Sequence, residues 1–132
     1  MTIYPSRTVS VSIDRGWHEV YAFLAVPSNF APWAAGLGAG LEQLGDEWIA
    51  RGPDGSIRIR FTPHNELGVL DHRVTAASGA ETLNPMRVMA NGSGSEVAFT
   101  LFRPPGMSAT VFDADAAAVA RDLQTLKTLL EG

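Results

Sequence analysis

The chain has 132 residues, 45% of them hydrophobic and 18% charged, with a net charge of −4 at pH 7 and no cysteine. A length of this order predicts one domain, residues 1–132, burying roughly two-thirds of its unfolded surface. The acidic balance argues against a general nucleic-acid or anionic-membrane binder, and the missing cysteines exclude disulfides, thiol catalysis and cysteine-ligated zinc.

The opening MTIYPSRTVSVSID lacks the apolar core of a signal peptide, and no run of about 18 apolar residues occurs. The expectation is a cytoplasmic protein without membrane insertion. Val9, Val11 and Ile13 alternate with Ser10 and Ser12, the period of a strand with one buried face. Asp14 and Gly16 punctuate. Residues 17–25 then carry Val20, Phe23 and Leu24 on a helical stripe that stops before Pro27, because a residue preceding proline avoids the helical region. A second short helix is expected over 28–35, with Phe30 and Trp33 as its large apolar residues, and Gly36, Gly38 and Gly40 loosen the loop that follows.

From 41 to 103 the pattern is hairpin after hairpin. Strands over 47–52 and 56–62 flank Pro53-Asp54-Gly55, and an Asp54-Gly55 turn would set Trp48 against Phe61 and Ala50 against Ile59. Strands over 68–76 and 82–90 flank a turn centred near Gly79, and Val88 faces Val97 around Asn91-Gly92-Ser93-Gly94. This register collects Trp48, Ile57, Ile59, Phe61, Leu70, Val74, Met86, Val88, Val97, Phe99 and Leu101 on one face. Arg51, Arg58, Arg60, Arg73 and Arg87 fall on the other, a solvated row in an acidic chain.

The last segment, 108–131, repeats Phe112, Ala116, Val119, Leu123, Leu126 and Leu130 at steps of three and four, while Asp115, Arg121, Asp122, Gln124 and Lys127 point elsewhere. That is one long amphipathic helix of about 36 Å, capped by Ser108 and followed by Gly132. The expected class is α+β: a curved antiparallel sheet of six to seven strands around a long C-terminal helix, with two short helices after the first strand.

The chemical motifs are few. His18-Glu19 opens like a zinc-protease pattern, but Ala22 stands where the second histidine belongs, so no metal site is expected. The glycines of GLGAG complete neither a dinucleotide fingerprint nor a phosphate loop, and Gly92-Ser93-Gly94-Ser95 lies at a hairpin tip rather than a nucleophile elbow. No cofactor is implied. Asp71 is expected across from Arg87 on the outer face as a structural ion pair. His72 and Asn84 fall on the inner face, where unpaired polar groups are costly. Either they satisfy each other or they address a ligand.

The stretch DRGWHEVYAFLAVPSNFAPW resembles the first helical segment of polyketide cyclase/dehydrase and lipid-transport-like members of the START-related SRPBCC superfamily, and DADAAAVARDLQTLKTLLEG resembles their closing helix. GVLDHRV, NPMRV and GSEVAFTLFRPPGMS look like a bacterial branch, so the resemblance covers nearly the whole chain. It implies the helix-grip fold, with a cavity between sheet and long helix. Tyr21 stands where many relatives carry tryptophan, a difference that bears on the shape of that cavity.

The reading that follows is binding of a small hydrophobic or aromatic, lipid- or polyketide-like molecule. Its ligand-binding candidates are His72, Asn84, Met86, Phe99, Tyr21, Trp33 and Leu123. An alternative is a cofactor-independent cyclase or dehydratase in which His72, the candidate catalytic residue, moves a proton while Tyr21 or Asn84 steadies an oxygen. Another is a module that binds a protein partner through the outer sheet face or the Trp33 loop. Homodimerisation stays open.

Overall fold

The computed structural model describes residues 2–37, 40–52 and 55–132. Its elements run β1 (Ser6–Ile13), α1 (Trp17–Leu24), short 3-10 turns at Pro27–Phe30 and Ala35–Leu37, and β2 (Glu42–Leu44). Next come β3 (Glu47–Gly52), β4 (Gly55–Phe61), β5 (His72–Thr75), β6 (Glu81–Asn84), β7 (Met86–Asn91), β8 (Gly94–Phe102) and α2 (Ala109–Glu131). Two 3-10 turns thus replace the single second helix expected over 28–35. Pro27 begins the first of them, where its fixed φ and missing N–H are tolerated.

The strands form two antiparallel ladders, β1-β8-β7 and β2-β3-β4-β5-β6. They join at one proline. His72 pairs with Asn84, and Val69 bridges to Arg87 in the same register, so Asp71 lies opposite Pro85. Pro85 has no N–H to give the ladder and separates β6 from β7. Beyond it the pairing resumes: Leu70 N–H donates to the Met86 carbonyl at 2.8 Å and Val88 N–H to that of Gly68 at 2.9 Å. On the other side Thr100 N–H reaches the Pro85 carbonyl at 3.0 Å. With β6 and β7 read as one bent strand, the eight strands make a continuous curved sheet of seven. Gly68 allows this close approach, since its φ is +73° and a Cβ there would collide with the Val88 carbonyl oxygen.

Two registers differ from expectation by two residues each. Trp48 pairs with Ile59 and Ala50 with Ile57, because Gly52 and Gly55 close the ladder. Gly55 is therefore a strand residue; Pro53 and Asp54, which carried the turn expectation, lie outside the described residues. The hairpin joining β5 and β6 likewise pairs Thr75 with Glu81, which puts Asp71 opposite Pro85 instead of Arg87. A slip of two keeps every side chain on its face, so the inner and outer sets survive. Val88 pairs with Val97 as the sequence predicts.

Helix α2 begins where Ser108 Oγ accepts from Val111 N–H at 3.1 Å. Phe112, Ala116, Leu123 and Leu126 are buried along its stripe. Its last turn is tied to β1: Lys127 Nζ donates to the Ser12 carbonyl at 2.7 Å, and Asp14 N–H donates to Glu131 at 2.8 Å. These side chains cap backbone groups on the free edge of the sheet. The core around Ile13, Val20, Leu24, Met86, Val88, Val97, Leu123 and Leu126 fills one end beneath the helix. No helix is long and apolar enough to cross a membrane among the described residues.

Asp71 and Arg87, a diagonal pair across the Pro85 break, make a two-point contact. Arg87 Nε donates to Oδ1 at 3.1 Å and Nη2 to Oδ2 at 2.9 Å. Asp71 Oδ1 also accepts from Met86 N–H at 2.9 Å, bridging the interrupted ladder. The Arg87 hydrogen bond, supported by that backbone N–H, holds the Asp71 carboxyl below its ordinary value against the opposing effect of burial. Native Asp71 therefore stays ionised where the unfolded chain is already protonated, and its stabilisation, present at neutral pH, is lost as pH falls from the ordinary value near 3.8 through the lower folded one. The ion pair itself is half open, with Arg87 50% exposed, so its coupling in a double-mutant cycle of Asp71→Asn and Arg87→Gln should be about 0–1 kcal/mol. Coupling well above that range would mean a desolvated pair.

Candidate functional site

The other end of the space beneath α2 is not filled. A cavity of about 190 Å³ lies between Phe61, Ile57 and Ile59 of β4, Val74 and His72 of β5, Asn84 of β6 and Phe99 of β8. Val119 and Asp122 of α2 face it, and Phe30, Trp33, Ala34, Gly36 and Leu37 close the remaining side.

His72 is 7% exposed, and no aspartate, glutamate, lysine or arginine among the described residues is buried as it is. Its ring sits among Phe30, Phe61 and Phe99 at centroid separations of 5.7, 5.6 and 5.9 Å. Nδ1 lies 3.1 Å from the Leu70 carbonyl oxygen, a contact that needs the proton on Nδ1 and leaves Nε2 as an acceptor. Nε2 has no protein partner among the described residues. It is also not among the sealed, unpartnered polar atoms, which among the described residues are Trp33 Nε1 and Ser95 Oγ, and the residue that carries it lines the cavity.

Burial pushes the imidazole below its ordinary value, outweighing the Leu70 hydrogen bond and the Asp71 charge, which act upward. The neutral ring is the native form. Because the unfolded chain takes up this proton first, the stability associated with His72 is present above the ordinary value of 6.5 and declines as pH falls below it. An imidazole NMR titration of the folded protein should place the His72 midpoint below 6.5. A midpoint at or above that value would put the ring in water or beside a carboxylate.

Asp122 closes the helix side of the mouth, where Oδ1 accepts from Ala35 N–H at 3.3 Å. Desolvation raises its carboxyl above the ordinary range, opposed by the Ala35 N–H and Arg121. Among the described residues no lysine or arginine lines the cavity. Among the described residues no three metal-binding side chains gather.

Of the residues singled out in the sequence, His72, Asn84, Phe99 and Trp33 meet at this cavity. Three do not. Met86 and Leu123 are fully buried in the packed core, and Tyr21 turns away from the cavity, its hydroxyl accepting from Asn65 N–H at 2.8 Å beside His64. On the helix side the space lies beside Val119 and Asp122, whereas Ala116 is packed and Ala120 is exposed. Asp122 was missed as a site residue, although its position three after Val119 and four before Leu126 puts it on the flank of the apolar stripe. Phe30, Leu37 and Phe61 carried only a hydrophobic signal.

Structural comparison gives likenesses over almost the whole chain. The solution structure of the Aha1 dimer from Colwellia psychrerythraea has a TM-score of 0.76 at 14% identity, covering 96% of this chain and 96% of that one. DynU16, from the dynemicin biosynthetic locus, has a TM-score of 0.70 at 20% identity, over 96% of this chain and 47% of its own. The di-domain ARO/CYC protein BexL of the BE-7585A biosynthetic pathway has 0.77 at 15%, over 96% of this chain and 46% of its own. The chain spans about half the length of the latter two. No family model and no curated protein matches the sequence. Curved antiparallel sheet, long closing helix and these neighbours together give the chain a helix-grip fold, which it shares with all three.

Proposed function

We propose that the protein binds a small hydrophobic or aromatic molecule in the cavity between the sheet and α2. The observation that carries this is an unfilled apolar space of about 190 Å³ in a chain whose other end is tightly packed. Close-packed interiors rarely leave such volumes, and one lined by aromatic and aliphatic side chains with a few polar groups has the make-up of a ligand site. Its size sets the scale. An apolar cavity of about 150 Å³ accepts benzene, and sites for drug-sized molecules run from about 300 Å³ upward. One ring fits here; a long acyl chain or fused polyketide skeleton would require the 34–37 segment to move off the helix.

Native mass spectrometry of freshly purified protein tests the reading. A retained adduct of single-ring mass supports it, whereas bare protein that also fails to take up toluene contradicts it. A cyclase- or dehydratase-type reaction is a second reading, favoured by the open Nε2 of a neutral, oriented imidazole, which has the form of a general base. Turnover of a bound compound that disappears in His72→Gln while binding persists would select it. A homodimer, the assembly named for the Aha1 neighbour, is open to sedimentation analysis.

A further inference from the structure

We propose that the cavity selects an uncharged ring carrying a hydroxyl, a phenol-type ligand, and that His72 and Asn84 together form the clip that holds this hydroxyl. The inference rests on the reading that the cavity takes a small ligand and adds which chemistry it takes.

His72 and Asn84 are directly opposed on β5 and β6, and both line the cavity. Opposed side chains start about 5 Å apart at Cβ, close enough for one ligand atom to touch both. They do not hydrogen-bond each other, and neither His72 Nε2 nor the Asn84 amide has a protein partner among the described residues, with Nδ1 of His72 already committed to Leu70. One acceptor and one amide therefore face the same space. A hydroxyl satisfies both, its proton donated to Nε2 and its oxygen accepting from the Asn84 amide nitrogen. In the unliganded protein a water plays that part. A hydrocarbon that displaces the water leaves both groups unpaired, which is costly in a wall made of Phe30, Phe61 and Phe99. The charge of the site points the same way. Among the described residues Asp122 is the one charged side chain lining the cavity, and no cation there balances a second carboxylate, so an anionic ring is repelled where the dielectric is low.

The test measures dissociation constants of toluene, phenol and benzoate at pH 7.5 for the native protein, His72→Phe and Asn84→Leu. Native protein should bind toluene and phenol and exclude benzoate. Because phenol is better solvated in water, the deciding quantity is the phenol-to-toluene affinity ratio, which should fall about tenfold in His72→Phe and several-fold in Asn84→Leu. An unchanged ratio in variants that still bind toluene overturns the clip and leaves the ligand-binding reading standing. Failure of the native protein to bind any of the three overturns that reading as well. Benzoate bound as tightly as phenol overturns the selection for an uncharged ring. Should a variant fail to fold, the native protein still decides. Phenol, but not toluene, must shift the His72 Nε2 nitrogen resonance, and equal shifts from both contradict the proposal.

Discussion

Leu123→Ala should lower the stability of the native state by about 2–5 kcal/mol. Leu123 is 1% exposed and sits mid-stripe on α2, packed in the core that holds Met86, Val88 and Val97. The methyl groups removed leave a void in a region where helix and sheet are both anchored, α2 through Lys127 and Glu131 to β1 and the sheet through its ladders, so collapse around the gap is limited. Against a typical total of about 5–15 kcal/mol, such a loss is a large fraction of the whole. Reversible denaturation measures it. A loss below about 0.5 kcal/mol would show that the stripe does not pack on the sheet. Leu123 does not line the cavity, so ligand affinity in the folded fraction should be nearly unchanged.

Val119→Phe should have the opposite profile, little change in stability and loss of ligand uptake. Val119 is half-buried, one turn before Leu123, and lines the cavity at the border of the packed core. A larger ring at this position enters existing space, whereas in a filled core overpacking costs about 1–3 kcal/mol. Toluene at a hundredfold excess over its dissociation constant should stabilise the native protein by about 2.7 kcal/mol and the variant hardly at all. A variant destabilised by several kcal/mol would mean that Val119 already meets a solid wall. Equal stabilisation of both proteins by toluene would place the ligand elsewhere.

The fold was legible because its signals are periodic. The stripe of α2 and the alternation of β1, β4 and β8 each repeat the same choice many times, and the Asn91-to-Gly94 turn fixes its own register. Registers around Gly55 and Gly79 were not legible, since which residues of a glycine-rich turn pair is decided by backbone geometry. The two-residue slips left the faces intact, and for that reason His72 and Asn84 could be assigned to the inner face without knowing that they oppose each other. The boundary between packed core and cavity was hidden. Met86 and Phe99 look alike in sequence, both apolar and inward, yet they are direct partners of which Phe99 reaches the cavity and Met86 does not. That division is set by which residues of other elements pack over each side chain, and no local pattern records it. The place of Tyr21 was hidden for a similar reason, since its hydroxyl is taken by the backbone of Asn65, a residue far away in sequence.

The central claim is that the space beside Val119, between α2 and strands β4 and β5, admits a single-ring ligand. Nuclear Overhauser contacts from toluene to methyl-labelled protein test it most directly. The account predicts saturable contacts to Ile57, Ile59, Val74 and Val119, with none to Val88 or Leu126 in the packed core. Absence of any contact at saturating toluene, or contacts confined to exposed side chains such as Ile3 and Leu67, would contradict it.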